Sequence, residues 1–315
     1  MIIVGDLHLD ARLGNIRTRD LIEEKKEKLL ELINAEDMVV FLGDYFNVPE
    51  PSNEFRHFFS DFLQDIKVPK RLLLGNHDID NQNQQNCLSA IAPYLTDEEI
   101  VKEACYTASG ICMVSYLFDY AKLEKIISET KCKYVIGHFS FDYEMHGRVL
   151  KGEIEYKPEY DSKQFILGHI HRYQVARPNV TYLGSFAPHK LDELEFDYKV
   201  GFIKGGEFTT KNVKHNVKQK IVRRLEDLEG IDERTKVVFE LEEGADKEAI
   251  VQKLKEKKML SYQIKEGSKE IDTQNLNLSG LLTEYLKVIG RPDLYDKVMG
   301  FIETENVENL LKVTE

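Results

Sequence analysis

Short apolar runs recur through the first two thirds of the chain, and each ends in a polar tip. Ile2-Ile3-Val4 runs into Gly5-Asp6-Leu7-His8. Met38-Val39-Val40-Phe41-Leu42 precedes Gly43-Asp44, and Arg71-Leu72-Leu73-Leu74 precedes Gly75-Asn76-His77-Asp78. Tyr134-Val135-Ile136 precedes Gly137-His138, and Gln164-Phe165-Ile166-Leu167 precedes Gly168-His169-Ile170-His171. Runs this short, rich in Val, Ile and Leu, suit strands buried on both faces. Helical patterns lie between them. Residues 19–35 space Leu21, Ile22, Leu29, Leu30, Leu32 and Ile33 among charges. Residues 52–66 open at Ser52, an N-cap residue type, and carry Phe55, Phe58, Phe59, Phe62, Leu63 and Ile66 at helical spacing. Residues 121–130 predict a shorter charged helix. Strand and helix in alternation mean α/β layering, with ligands at the carboxyl ends of the strands.

Residues 182–185 and 200–203 read as further strands, with Gly205-Gly206 as a turn. After His215 the texture changes. Residues 217–224, 236–242 and 260–266 predict strands, and 246–257 a helix with Ile250, Val251 and Leu254 inward. This is a small α+β module. A polar stretch follows, then two helices, 279–289 and 292–311, split by Gly290-Arg291-Pro292. The expected divisions are 1–215, 216–267 and 268–315.

Composition narrows the class. With 315 residues, 42% apolar and 31% charged, the chain has room for a sizeable core and more than one folding unit. No apolar run approaches bilayer length, and the apolar start is too short for a signal peptide. The four cysteines show no C-x-x-C spacing and read as reduced thiols of a cytoplasmic protein. A net charge of −12 argues against nucleic-acid binding by counterion release alone. It suits carboxylates gathered around cations, which invert the local field.

The five motifs carry the chemistry. A lone Gly-His is more often structural than a ligand, and a lone Gly-Asp is usually a turn. Five such tips in this order, each at a strand end, are not what turns produce. Oxygen and imidazole donors without thiolates suit manganese, iron or zinc. Two such ions clamp the attacking and leaving oxygens of a phosphoryl transfer. Asp44, alone in its motif, is the natural carboxylate to bridge them. Asp6 and His8 can reach one ion from a single strand tip. His169 and His171 share a face of an extended segment and can bind one ion each. Asn76 supplies a neutral oxygen.

These motifs resemble the calcineurin-like metallophosphoesterase superfamily, whose pattern is D-x-H, G-D, G-N-H-[DE], G-H and G-H-x-H. The resemblance implies a four-layer α-β-β-α sandwich. It places Asp6, His8, Asp44 and His171 on one ion and Asp44, Asn76, His138 and His169 on the other. It makes His77 the residue over the leaving group, oriented by Asp78. Within the superfamily, Gly43-Asp44-Tyr45-Phe46 resembles the G-D-x-F of SbcD/Mre-type DNA repair nucleases. The 167–174 segment, Leu-Gly-His-Ile-His-Arg-Tyr-Gln, resembles their L-G-H-I-H-R-x-Q. Tyr182-Leu183-Gly184-Ser185 and Lys199-Val200-Gly201-Phe202 resemble their closing segments. Asn47 departs from the Asp or His of many members.

That resemblance implies a manganese-dependent DNA exo- and endonuclease, with magnesium, iron or zinc as other ions. It acts at DNA ends in recombination and repair, in a bacterial cell or a phage-infected host. It implies a capping domain at 216–267, an SbcC-type SMC-like ATPase docked on the C-terminal helices, and a homodimer. The Phe-rich helix reads first as packing on the sheet; the resemblance alternatively implies that helices around Phe55, Phe58, Phe59, Phe62, Leu88 and Ile91, the second over 87–95, form the dimer contact. Arg12, Arg17, Arg19, Arg148, Lys151 and Arg172 lie near motif loops as candidate DNA contacts. The alternative reading is a cyclic-nucleotide or nucleotide phosphodiesterase with the same ions.

Overall fold

The computed structural model describes residues 1–80, 85–91, 95–96, 99–145, 148–241 and 245–266. The expected terminal helices, and with them the 268–315 docking segment, lie outside the described residues. Two compact units divide the chain. The first comprises Met1–Lys220, Gly230–Val237 and Lys257–Tyr262; the second takes Ile221–Glu229, Val238–Glu256 and, of the described residues, 263–266.

Two six-stranded sheets make up most of the first unit. One runs in the order Glu207–Val213, Tyr198–Lys204, Ile2–Val4, Val39–Phe41, Lys70–Leu73 and Ile100–Val101. Its last four strands are parallel, with Val4 opposite Phe41 and Phe41 opposite Leu72. The other runs Gln174–Arg177, Val180–Tyr182, Gln164–Leu167, Tyr134–Gly137, Ile111–Val114 and Ala104–Tyr106. Its four inner strands are parallel, with Leu167 opposite Gly137. All five motif strands are therefore parallel members. In each sheet they stand side by side with their carboxyl ends level.

Alternation along each strand explains why these runs are apolar throughout. Ile2, Val4, Phe41 and Leu72 face a core shared with the helices Thr18–Glu23, Lys26–Asn34 and Asn53–Asp65. Ile3, Val40, Leu42 and Leu73 face the other way and join Met113, Ile136 and Ile166 of the second sheet. On that sheet's far side, Val114, Val135 and Phe165 meet Leu123 and Ile127 of helix Tyr120–Glu129. Asp119 caps this helix by accepting from the Lys122 amide at 3.0 Å.

The expected helix over 19–35 is two helices, broken at Glu24-Lys25 where Lys25 leaves helical geometry at φ −109°, ψ 0°. Ser52 stands at an N-cap position, but only its backbone carbonyl serves the helix, accepting from the Phe55 and Arg56 amides. The Phe-rich helix packs on the sheet. Phe59, Phe62, Leu88 and Ile91 are 0–3% exposed and belong to the chain's own core, which corrects their assignment to a dimer contact. Phe55 and Phe58 are partly buried against the same core. Of the second helix expected over 87–95, the described residues form a 3-10 turn at Cys87–Ala90, and residues 92–94 lie outside the described residues.

After residue 215 the described chain forms the strands Lys218–Val222, Thr235–Leu241 and Ser261–Glu266 and the helix Lys247–Glu256, which buries Ile250 and Leu254. No helix among the described residues is long and apolar enough to cross a membrane.

Candidate metal centre

The five strand tips converge. The sharp departure from each strand is built from glycine and from strained backbone. A Cβ on Gly75 would lie 2.1 Å from Asp44 Oδ1, and one on Gly168 would lie 2.6 Å from Asp6 Oδ1. Only hydrogen lets these loops press so close. His8, Asp44 and His169 hold φ of +44°, +48° and +74°. Among the described residues these are the non-glycine positions with positive φ. Such conformations cost about 1–3 kcal/mol each and persist where surroundings over-determine them.

Asp6, His8 and Asp44 are 0–1% exposed. One donor atom from each of Asp6, His8, Asp44 and His171 lies within 4.8 Å of the others. Asp6 Oδ2 accepts the His169 amide at 3.0 Å, while Asp6 Oδ1 is buried without a partner. Both ring nitrogens of His8 are buried and unpartnered too. A second set meets at Asn76. Its Oδ1 lies 3.1 Å from His138 Nε2 and 2.8 Å from His169 Nδ1, and His138 Nε2 is 3.4 Å from Asp44 Oδ2. Asp44 thus belongs to both sets.

The imidazoles are aimed from behind. His138 Nδ1 donates to the Leu42 carbonyl at 2.9 Å. His169 Nε2 is 3.2 Å from Glu153 Oε1, and His171 Nδ1 is 3.2 Å from Glu193 Oε1. Spending one proton on the back leaves the front nitrogen as a lone pair. At Asn76 those lone pairs face an oxygen and a carboxylate. Acceptors turned on one another in a buried space call for a cation among them. The electrostatics agree. Burial and then the charge of Asp44 push Asp6 well above the usual carboxylate range. Burial, then His189, lowers His8. Burial opposes the charge on Asp44, yet positive charge at His138, His8 and His77 would hold its carboxyl below the usual range, a part that a cation among them would take. These residues fit a pair of divalent ions.

Asp78 has a different task from the one its place beside His77 implies. It accepts from the amides of Asp44, Tyr45 and Gly75 at 2.7, 2.9 and 2.8 Å. Burial and then Asp44 push it up to about 8, against those hydrogen bonds. It ties the two loops together by backbone. The partner of His77 Nδ1 is the Asn47 carbonyl at 2.9 Å, and the Asn47 side chain is pinned by Asp10 Oδ1 at 3.0 Å. The departure at Asn47 is harmless to His77, because a main-chain oxygen does the orienting.

Three site residues lie outside the sequence motifs: Glu153, His189 and Glu193. No apolar run introduces them, and the Gly152 that precedes Glu153 ends no strand run of that kind. Glu153 takes the Ser140 amide and hydroxyl at 2.6 and 2.7 Å. Burial alone would raise it, but His169 and Ser140 outweigh that and hold it at about 2. Glu153→Gln is expected to weaken ion binding at the Asn76 set by roughly 10–100-fold, as loss of an outer carboxylate on a ligating histidine does. Calorimetric titration of the metal-stripped chain with manganese checks it.

The candidate DNA contacts fare differently. Arg12, Lys151 and Arg172 are exposed. Arg17 and Arg19 are engaged by Glu54 at 2.7 and 2.6 Å and lie over Phe55 and Phe58. The side chain of Arg148 lies outside the described residues.

No curated protein matches this chain. One similar solved structure is that of AQ665, a protein of unknown function from Aquifex aeolicus. It is 17% identical, covers 47% of this chain and 81% of its own, and gives a TM-score of 0.27. The model of the calcineurin-like phosphoesterase family matches residues 1–173, which span all five motifs. That match covers more than half of the chain and ends just past the last histidine of the site, so the chain belongs to the calcineurin-like phosphoesterase family and is a metal-dependent phosphoesterase.

Proposed function

We propose that the chain is a DNA nuclease of the SbcD/Mre type, hydrolysing phosphodiester bonds at DNA ends with two divalent ions, manganese foremost. In this reading Asp6, His8, Asp44 and His171 hold one ion and Asp44, Asn76, His138 and His169 the other. Ions held there supply Lewis-acid polarisation of the phosphoester and a more acidic water. The chain's own residues do the rest. The Asn47 carbonyl accepts a hydrogen bond from His77 Nδ1, so that the imidazolium form of His77 keeps its Nε2 proton for the departing oxygen. Asp78 keeps the loops of Asp44 and Asn76 in register.

The layers are read as an α-β-β-α sandwich over residues 1–215. Residues 216–267 act as a cap that positions DNA, and 268–315 as a docking segment for an SMC-like ATPase. A second copy of the chain completes a homodimer through a face other than Phe59 and Phe62.

One observation supports DNA over a small substrate. Two of the segments that resemble the SbcD nucleases, 167–174 and 182–185, are joined at the site: the Ser185 amide donates to the His171 carbonyl at 2.9 Å. Arg172 stands exposed beside this junction. Digestion in manganese of linear duplex DNA, single-stranded circles and bis-p-nitrophenyl phosphate tests the proposal. Shortening of the duplex and opening of the circles are expected. Cleavage of the small ester alone would replace the nuclease with a small-molecule phosphodiesterase.

A further inference from the structure

A buried imidazole outside the five motifs faces the same cluster. His189 is 2% exposed in its side chain. Its ring stacks on His8 at 4.3 Å and 16°, and meets His171 edge-on at 4.1 Å and 78°. One nitrogen from each of His8, His171 and His189 lies within 4.8 Å of the others. Neither nitrogen of His189 makes a hydrogen bond, and neither does either nitrogen of His8. Glu193 stands behind this group. Its Oε1 is 3.2 Å from His171 Nδ1, and its Oε2 is 2.8 Å from His189 Nδ1 but not aligned as a hydrogen bond.

A histidine placed only for packing would find a partner for its polar atoms or turn one to water. Nε2 of His189 does neither, and Nδ1 has only the Glu193 carboxylate beside it. Its nearest polar neighbours are two imidazoles already aimed at the Asp6–Asp44 cluster and the carboxylate that anchors one of them. We propose that His189 is a further metal-holding residue, adding a third imidazole to the ion held by Asp6, His8, Asp44 and His171. Glu193 is the positioning residue for His171 and His189. This inference rests on the two-ion reading of the site. A donor set with three imidazoles selects imidazole-seeking ions such as cobalt, nickel or zinc over magnesium, whose preference is for oxygen.

The test uses the full chain stripped of metal and titrated with cobalt(II), followed by calorimetry and visible absorption. His189→Gln is expected to weaken one of two cobalt sites by about tenfold or more and to change its absorption band, leaving the other site as in the wild type. Glu193→Gln should weaken the same site. Pulsed electron paramagnetic resonance of the wild-type chain with manganese needs no variant. It should count three imidazole nitrogens on one ion. Two cobalt sites of unchanged affinity and band in a folded His189→Gln, or no ion with more than two imidazole nitrogens, would overturn the role of His189 alone. A wild-type chain that takes up no cobalt would overturn the two-ion reading as well.

Discussion

Asp44→Asn is expected to cost the protein both its ions and its hydrolytic turnover. The substitution keeps an oxygen for the His77 amide, which Asp44 Oδ1 now accepts at 2.9 Å. It removes only the charge that two donor sets share. Asp44 lies 3.4 Å from His138 Nε2 on one side and 3.8 Å from His8 Nε2 on the other. Losing an outer carboxylate already costs 10–100-fold in affinity, so losing a shared inner one should exceed about 10³-fold over the pair. Calorimetry and metal analysis after desalting measure it. Two ions retained by a folded Asp44→Asn would show that the carboxylate is not shared.

His77→Ala is expected to leave both ions in place and reduce turnover by roughly 10²–10⁴-fold, the usual worth of a positioned acid. His77 belongs to neither donor set. Its ring is held at a distance by Asn47, with its centroid 5.5 Å from that of His8. The loss should depend on the leaving group. A sugar alkoxide departing from DNA needs a proton, whereas p-nitrophenolate departs unaided. Single-turnover rates on both substrates test this. An equal loss on both would assign His77 to binding and not to the leaving oxygen.

The motifs were legible because each is the end of one buried strand, and a strand end is a local event in sequence. Parallel pairing then brings Asp6, Asp44 and Asn76 together on one sheet, and His138 and His169 on the other. The residues behind them were not legible. Glu153 and Glu193 act from loops with no periodicity, and His189 lacks the preceding glycine that marked the others. Asp78 misled for a physical reason. Its neighbour in sequence is His77, but its hydrogen bonds go to amides, and amides leave no mark on a sequence. The Phe-rich helix was read correctly as helical. Its packing on the sheet holds for Phe59 and Phe62, which close the core and so are not dimer contacts. The strand Ile111–Val114 went unread, since no polar tip announces it.

The donor atoms come from two sheets: Asp6, His8, Asp44 and Asn76 follow strands of the first, His138, His169 and His171 strands of the second. Between those sheets lies an apolar layer of side chains such as Val40, Leu73 and Ile136, and at the site hydrogen bonds such as His138 Nδ1 to the Leu42 carbonyl and the His169 amide to Asp6 Oδ2 join them. Ions bound across this seam act as rivets. Catalytic affinity and mechanical cohesion become one quantity, and a hundredfold excess of ion over its dissociation constant adds about 2.7 kcal/mol to the folded state. A chelator therefore does more than silence such an enzyme. It loosens the joint on which the catalytic geometry is built.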